Sequence, residues 1–98
     1  MPNKTCLVVM AAPKDMGKVQ EYQKASGPIM VRHGAVMPAI KMKVEQVLVG
    51  AINPVFIMQV EFPSKESINS AFADPEYLNL INDRDKGFSE LNIFITSV

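Results

Sequence analysis

The chain has 98 residues and a mass of 10.8 kDa, and its ten basic and ten acidic side chains cancel. A composition of 48% apolar against 20% charged residues excludes a disordered chain and fits one domain around one core. The balanced charge speaks against nucleic acid and against a membrane surface as partners, since both usually select a basic excess.

The single cysteine, Cys6, has no second thiol to pair with and stands in an apolar run, where an inert buried thiol is expected. One cysteine and one histidine cannot make a zinc site, so no metal is expected. There is no glycine-rich phosphate loop, no G-x-S-x-G elbow and no H-E-x-x-H pair, and no cofactor is expected either. The apolar stretch from Cys6 to Ala12 is too short for a signal peptide or a membrane span, so the expected location is cytoplasmic.

In chain order, Thr5 to Ala12 is continuously apolar and reads as a strand buried on both faces, closed by Pro13. Asp15 is placed to cap a helix whose stripe runs through Met16, Val19, Tyr22, Ser26, Ile29, Met30 and His33. The stripe continues in phase past Gly27-Pro28, so one helix with a kink is predicted, ended by Gly34. Ala35 to Lys43 contains Pro38, which belongs on a sheet edge or at a bulge, and Glu45 to Val49 reads as a continuation of that strand. After turn residues 50–54, Val55 to Phe62 is a second apolar run, closed by Pro63. Ser64 caps a second helix with Ile68, Ala71 and Phe72 inward, and Asp74-Pro75-Glu76 restarts a helix with Tyr77, Leu78 and Ile81 inward. Asn82 to Gly87 reads as a charged, polar loop, and Leu91 to Val98 as a final edge strand.

The order is β-α-β-β-α-β. A shift of fifty residues lays Leu7–Met10 on Ile57–Val60, Pro13 on Pro63 and Tyr22 on Phe72, a repeat of pattern more than of sequence. Two interlocked β-α-β crossovers predict a ferredoxin-like α+β domain, a four-stranded antiparallel sheet with the helices on one face. The two apolar runs take the centre. Their second face is apolar too and has no layer of its own to cover it, so a homodimer through the open sheet face is expected.

Glu61-Phe62-Pro63-Ser64 followed by Asp74-Pro75-Glu76-Tyr77 resembles the signature of a family of domains of unknown function in the dimeric α+β barrel superfamily. Tyr22, Gly27-Pro28 and His33-Gly34 resemble the first half of the same family. The superfamily also holds antibiotic-biosynthesis-type monooxygenases, muconolactone isomerases and the EthD-like and NIPSNAP-like domains. The resemblance implies a dimeric α+β barrel with a cleft between sheet and helices in each subunit. It implies no particular chemistry, and the absence of tryptophan excludes the Asn-Trp-His arrangement of the haem-degrading members.

Six residues are candidates for a site. His33 and Glu61 could move a proton, the first by its reference pKa and the second as a carboxylate on an apolar strand. Tyr22 could edge a cleft with its hydroxyl, Arg84 could close over an anionic ligand, and Met10 and Met58 could line an apolar one. Each also has a plain structural role available, as helix-end histidine, strand ion pair, core ring, solvated cation or core filler. Two functional readings stand side by side: a cofactor-independent enzyme acting on a small apolar or aromatic compound, and a non-catalytic dimeric binding or stress-associated module. They differ in whether Tyr22, His33 and Glu61 meet in one pocket between the sheet and the first helix.

Overall fold

A computed structural model describes residues 4–98. Strands β1 (Thr5–Pro13), β2 (Val36–Lys43), β3 (Phe56–Phe62) and β4 (Phe88–Ser97) form one sheet in the order β2-β3-β1-β4, every neighbouring pair antiparallel. Helix α1 (Met16–Arg32) crosses between β1 and β2, and α2 (Lys65–Ala73), α3 (Pro75–Leu78) and α4 (Ile81–Gly87) lead from β3 to β4. The two apolar runs are central and the proline-bearing strand is an edge, as predicted. The register of β2 against β3 shifts between Val36 and Ile40, around Pro38, where the lost N–H has no ladder bond to break.

The helix ends follow from their capping residues. Asp15 Oδ1 accepts from the Lys18 N–H at 3.2 Å, Ser64 Oγ from the Ser67 N–H at 3.1 Å, and Asp74 Oδ1 from the Glu76 N–H at 2.9 Å. At the other end of α1, Ala35 N–H reaches the Met30 carbonyl and Gly34 N–H the Val31 carbonyl, with Gly34 at φ +100°. This paired closure needs a residue in the left-handed region, which glycine enters without a Cβ penalty. Helix α1 runs through Pro28 without a break.

Several details differ from the sequence reading; among them, Leu78 is exposed and the last strand begins at Phe88, ahead of Leu91. Asn82 to Gly87 is helical, forming most of α4, with Leu80 before it packed on the core. Gly87 closes that helix against α1: a Cβ there would lie 3.1 Å from Val19 Cγ2, and the Gly87 carbonyl accepts from the Lys14 and Asp15 N–H groups. Residues 45–49 do not continue β2. They are exposed and irregular, because β3 pairs back only as far as Lys43 and the Val44–Val55 bond. Met16 is exposed, so the buried stripe of α1 starts one turn later, at Val19.

The core lies between sheet and helices. Leu7, Val9, Ala11, Phe56, Val60 and Phe62 pack against Val19, Ile29, Ile68, Ala71 and Tyr77. The alternate residues Val8, Met10, Ile57, Ile40, Met42 and Phe94 share the opposite face, where no helix lies over them.

Candidate functional site: a cavity under the first helix

Between α1 and the sheet lies a cavity of about 320 Å³. Its walls are apolar, with Met30, Met37, Met58, Phe72, Leu91 and Ile93 prominent. The polar groups on the lining are few: Tyr22, Gln23 and Ser26 from α1, and Lys41 from β2. The Lys41 ammonium sits 4.5 Å from the centroid of the Phe56 ring, held over its negative face. A second, more open cavity of about 450 Å³ adjoins the first, sharing Leu7, Phe72, Leu91 and Ile93, and carries Arg84 and Asp85 on its rim.

The groups between the two cavities are hydrogen-bonded in sequence. Arg84 donates through Nη1 to the Tyr77 hydroxyl at 3.1 Å and through Nε to Asp85 at 3.0 Å. The Tyr77 and Tyr22 hydroxyls are 2.8 Å apart. A guanidinium only donates, so the Tyr77 oxygen accepts from Arg84. Tyr77 is 1% exposed, and among the described residues its hydroxyl has one other partner, Tyr22. A buried O–H needs an acceptor, so Tyr77 donates to Tyr22. The Tyr22 proton is thereby left for another acceptor, while the Ser26 hydroxyl one turn along α1 acts on the Tyr22 oxygen as a donor and favours the lower pKa. Burial pushes the Tyr22 phenol well above its ordinary pKa. Tyr22 is thus a neutral donor at any ordinary pH. The rings are fixed edge-on: Tyr22 to Tyr77 at 6.1 Å and to Phe88 at 6.3 Å, with Phe72 4.7 Å from Tyr77.

The six sequence candidates do not converge. Tyr22 and Met58 line the cavity, and Arg84 reaches it through Tyr77 and the adjoining space. Glu61 pairs with Cys6 across the ladder, and so shares the open face with Val8 and Met10. Its carboxylate is 3.9 Å from Lys4, on the far side of the sheet from the Tyr22 ring. The pocket expected to hold Tyr22, His33 and Glu61 together is therefore not formed. The reason is parity: Val60 and Phe62 are both covered by the helices, which turns Glu61 outward. Met10 lies outside the cavity for the same reason.

His33 is the C-cap of α1 and is not on the cavity wall. Its Nε2 lies 2.9 Å from Asp74 Oδ2, which also accepts from Arg32 Nη2 at 2.6 Å, while Arg32 Nη1 reaches Glu76 at 3.2 Å. This cluster joins the end of α1 to the start of α3. The bonds from His33 and Arg32, with the Glu76 N–H, hold the Asp74 carboxyl well below the usual carboxylate range. A depressed carboxyl stabilises the fold fully above the unfolded pKa of about 4, and that contribution is lost as the pH falls below it. Thermal melts between pH 7 and pH 2 should show a steep acid limb for the native chain and a flatter one for Asp74→Asn, which keeps a capping oxygen. Equal slopes would remove Asp74 from the account.

Sequence reasoning missed Tyr77 and Lys41 as site residues. Tyr77 reads as core, but a tyrosine placed inward must find a partner for its hydroxyl, and that was the available signal. Among the described residues, no group of three His, Cys, Asp or Glu side chains could hold a metal ion.

The sequence from residue 4 to residue 98 matches a family profile described as Domain of unknown function (DUF1330). The chain belongs to this family. No curated protein matches it. Solved structures with the same fold include a protein of unknown function from Rhodopseudomonas palustris, at 15% identity and TM-score 0.82, covering 98% of this chain and 82% of that one. A dimeric ferredoxin-like protein of unknown function from Jannaschia sp. CCS1 is 9% identical at TM-score 0.73, covering 97% and 99%. A dabb family protein with a ferredoxin-like fold from Mesorhizobium loti is 11% identical at TM-score 0.67, covering 97% and 96%. The DUF1330 chain thus has the ferredoxin-like fold expected of it. No helix among its described residues is long and apolar enough to cross a membrane.

Proposed function

We propose that this DUF1330 chain is a homodimeric binding protein that holds a small apolar or aromatic compound in the cavity beneath α1 of each subunit. The observation that carries this reading is the cavity itself: about 320 Å³ of mostly apolar space with Tyr22 on its wall. Among the described residues, its lining holds neither a carboxylate nor an imidazole. Binding is therefore better supported than the proton transfer that a cofactor-independent enzyme would ask of His33 or Glu61. The neutral dye N-phenyl-1-naphthylamine should brighten on mixing with the protein, and Ala39→Leu, which narrows the cavity from β2, should weaken that response. An unchanged response in Ala39→Leu would place the dye elsewhere and defeat the reading.

Pairing through the open sheet face rests on its composition. Ile40, Met42 and Phe94 are exposed beside the half-buried Val8, Met10 and Ile57, an apolar surface that a second copy would cover. The dimeric Jannaschia protein, of the same fold, supports it. Light scattering should give about twice 10.8 kDa for the native chain and the single mass for Ile57→Glu, whose charge would stand at the middle of that face. A native chain that runs as a monomer at micromolar concentration would overturn the pairing.

A further inference from the structure

The polar side chains on the cavity wall are Tyr22, Gln23, Ser26 and Lys41, each able to donate a hydrogen bond and the last positively charged. Arg84, permanently charged and 20% exposed in its side chain, donates to Tyr77, and Tyr77 passes its own proton to Tyr22. Each step pulls electron density toward the guanidinium, so the Tyr22 O–H is a strengthened donor. Its phenol stays protonated because burial raises its pKa. The Ser26 hydroxyl stands one turn along on the same wall, and Lys41 adds a positive charge from β2. No acid on the cavity's own lining, among the described residues, offsets these groups. Asp85, which pairs with the Nε side of Arg84, lies on the adjoining cavity.

From this geometry we infer that the cavity's ligand is an oxyanion on an apolar body, a carboxylate or an enolate, with its oxygen on the Tyr22 hydroxyl and its hydrocarbon against Met30, Met37, Met58 and Phe72. The inference rests on the binding role proposed above and adds the chemical class. A neutral hydrocarbon would fill the space but offer the Tyr22 proton no acceptor and the Lys41 ammonium no counter-charge. An ammonium-bearing ligand would meet donors and a like charge. An oxygen with negative charge satisfies the buried hydroxyl without moving any side chain, because the donor is oriented before the ligand arrives. Arg84 does not touch the ligand here; it is a positioning residue, acting through Tyr77.

The methionines make the test local. In a methyl-labelled protein, Met30, Met37 and Met58 report on the cavity, while Met10 and Met42 lie on the open sheet face and serve as controls. The probes are 2-naphthoate and its uncharged counterpart 2-methylnaphthalene. Titration with 2-naphthoate should move the three cavity methyls and not the two controls, with about tenfold tighter binding than 2-methylnaphthalene. Tyr22→Phe should abolish that preference while leaving 2-methylnaphthalene binding unchanged, and Arg84→Gln should reduce it with the Tyr22 ring still in place. Lys41→Gln, on an exposed edge strand, gives a second reading that does not depend on the packing of Tyr22, and should also reduce the preference. Equal affinity for the two probes, or a preference that survives both Tyr22→Phe and Lys41→Gln, would overturn the oxyanion assignment and leave the cavity as a binding site. Failure of both probes to move the cavity methyls would overturn the binding role and the assignment together.

Discussion

Tyr77→Ala should lower the free energy of unfolding by about 4 kcal/mol, the range for truncating a buried aromatic ring. Tyr77 is the largest of the fully buried side chains, packed on Phe72 and Tyr22. Its removal leaves a cavity and also strands the Arg84 Nη1 donor and the Tyr22 hydroxyl. Tyr77→Phe separates the two effects. It keeps the ring volume and deletes only the oxygen between Arg84 and Tyr22, so its cost should be about 2 kcal/mol, that of a charge-assisted bond lost inside the protein. Urea unfolding at fixed protomer concentration measures both, since a dimer's stability depends on concentration. If Tyr77→Phe is neutral, the hydroxyl chain contributes nothing to the fold and Tyr77 serves as a ring alone.

Gly34→Ala should be nearly as damaging, by about 2–5 kcal/mol, from two sources that add. The first is conformational, since φ +100° is unfavourable for any side chain. The second is steric, because a Cβ at Gly34 would lie 2.7 Å from Pro63 Cγ and 2.8 Å from Pro63 Cδ. A proline ring cannot swing aside, and Pro63 links β3 to the cap of α2, so the overlap would push the end of α1 off the sheet. Gly50→Ala is the internal control. Gly50 has φ +126° but nothing within 4 Å of its Cβ position, so it isolates the conformational part. Denaturation midpoints that are equal for the two variants would show that the close approach to Pro63 costs nothing.

The parts of the fold that were legible in the sequence are those where one residue type has few places to go. Pro38 cannot donate to a ladder and lies on the edge strand; Asp15, Ser64 and Asp74 cap the helices they precede; the apolar runs require cover on both faces and lie in the centre. The short helix at residues 81–87 was not legible, because about two turns of mostly polar residues carry no clear period and are ordered by Gly87 docking on Val19. Glu61 was the harder case. A continuously apolar strand has no phase, so alternation alone leaves its direction open. Its neighbours supply the missing argument: Val60 and Phe62 need the helices more than a carboxylate does. The fifty-residue pattern repeat proved informative in another way, since Tyr22 and Phe72, which it superimposes, both line the cavity. What no local reading could give was the Tyr22–Tyr77 contact, which joins residues 55 apart in the chain.

The ladder places Thr5 opposite Ser97, so the first strand has the last as its neighbour. A chain leaving the ribosome can wind α1 as soon as its stripe has emerged, and can pair β1 with β3 once residue 62 is out. Strand β1 nevertheless keeps one bare, apolar edge until residues 88–97 have been made. Such an edge is a template for any other extended chain. Closing it joins residues 75 to 92 positions apart, a step whose loop entropy must be met before the contacts reward it. The interval between the synthesis of β3 and the arrival of β4 is the period in which a nascent chain of this sequence is most open to mispairing with another copy of itself.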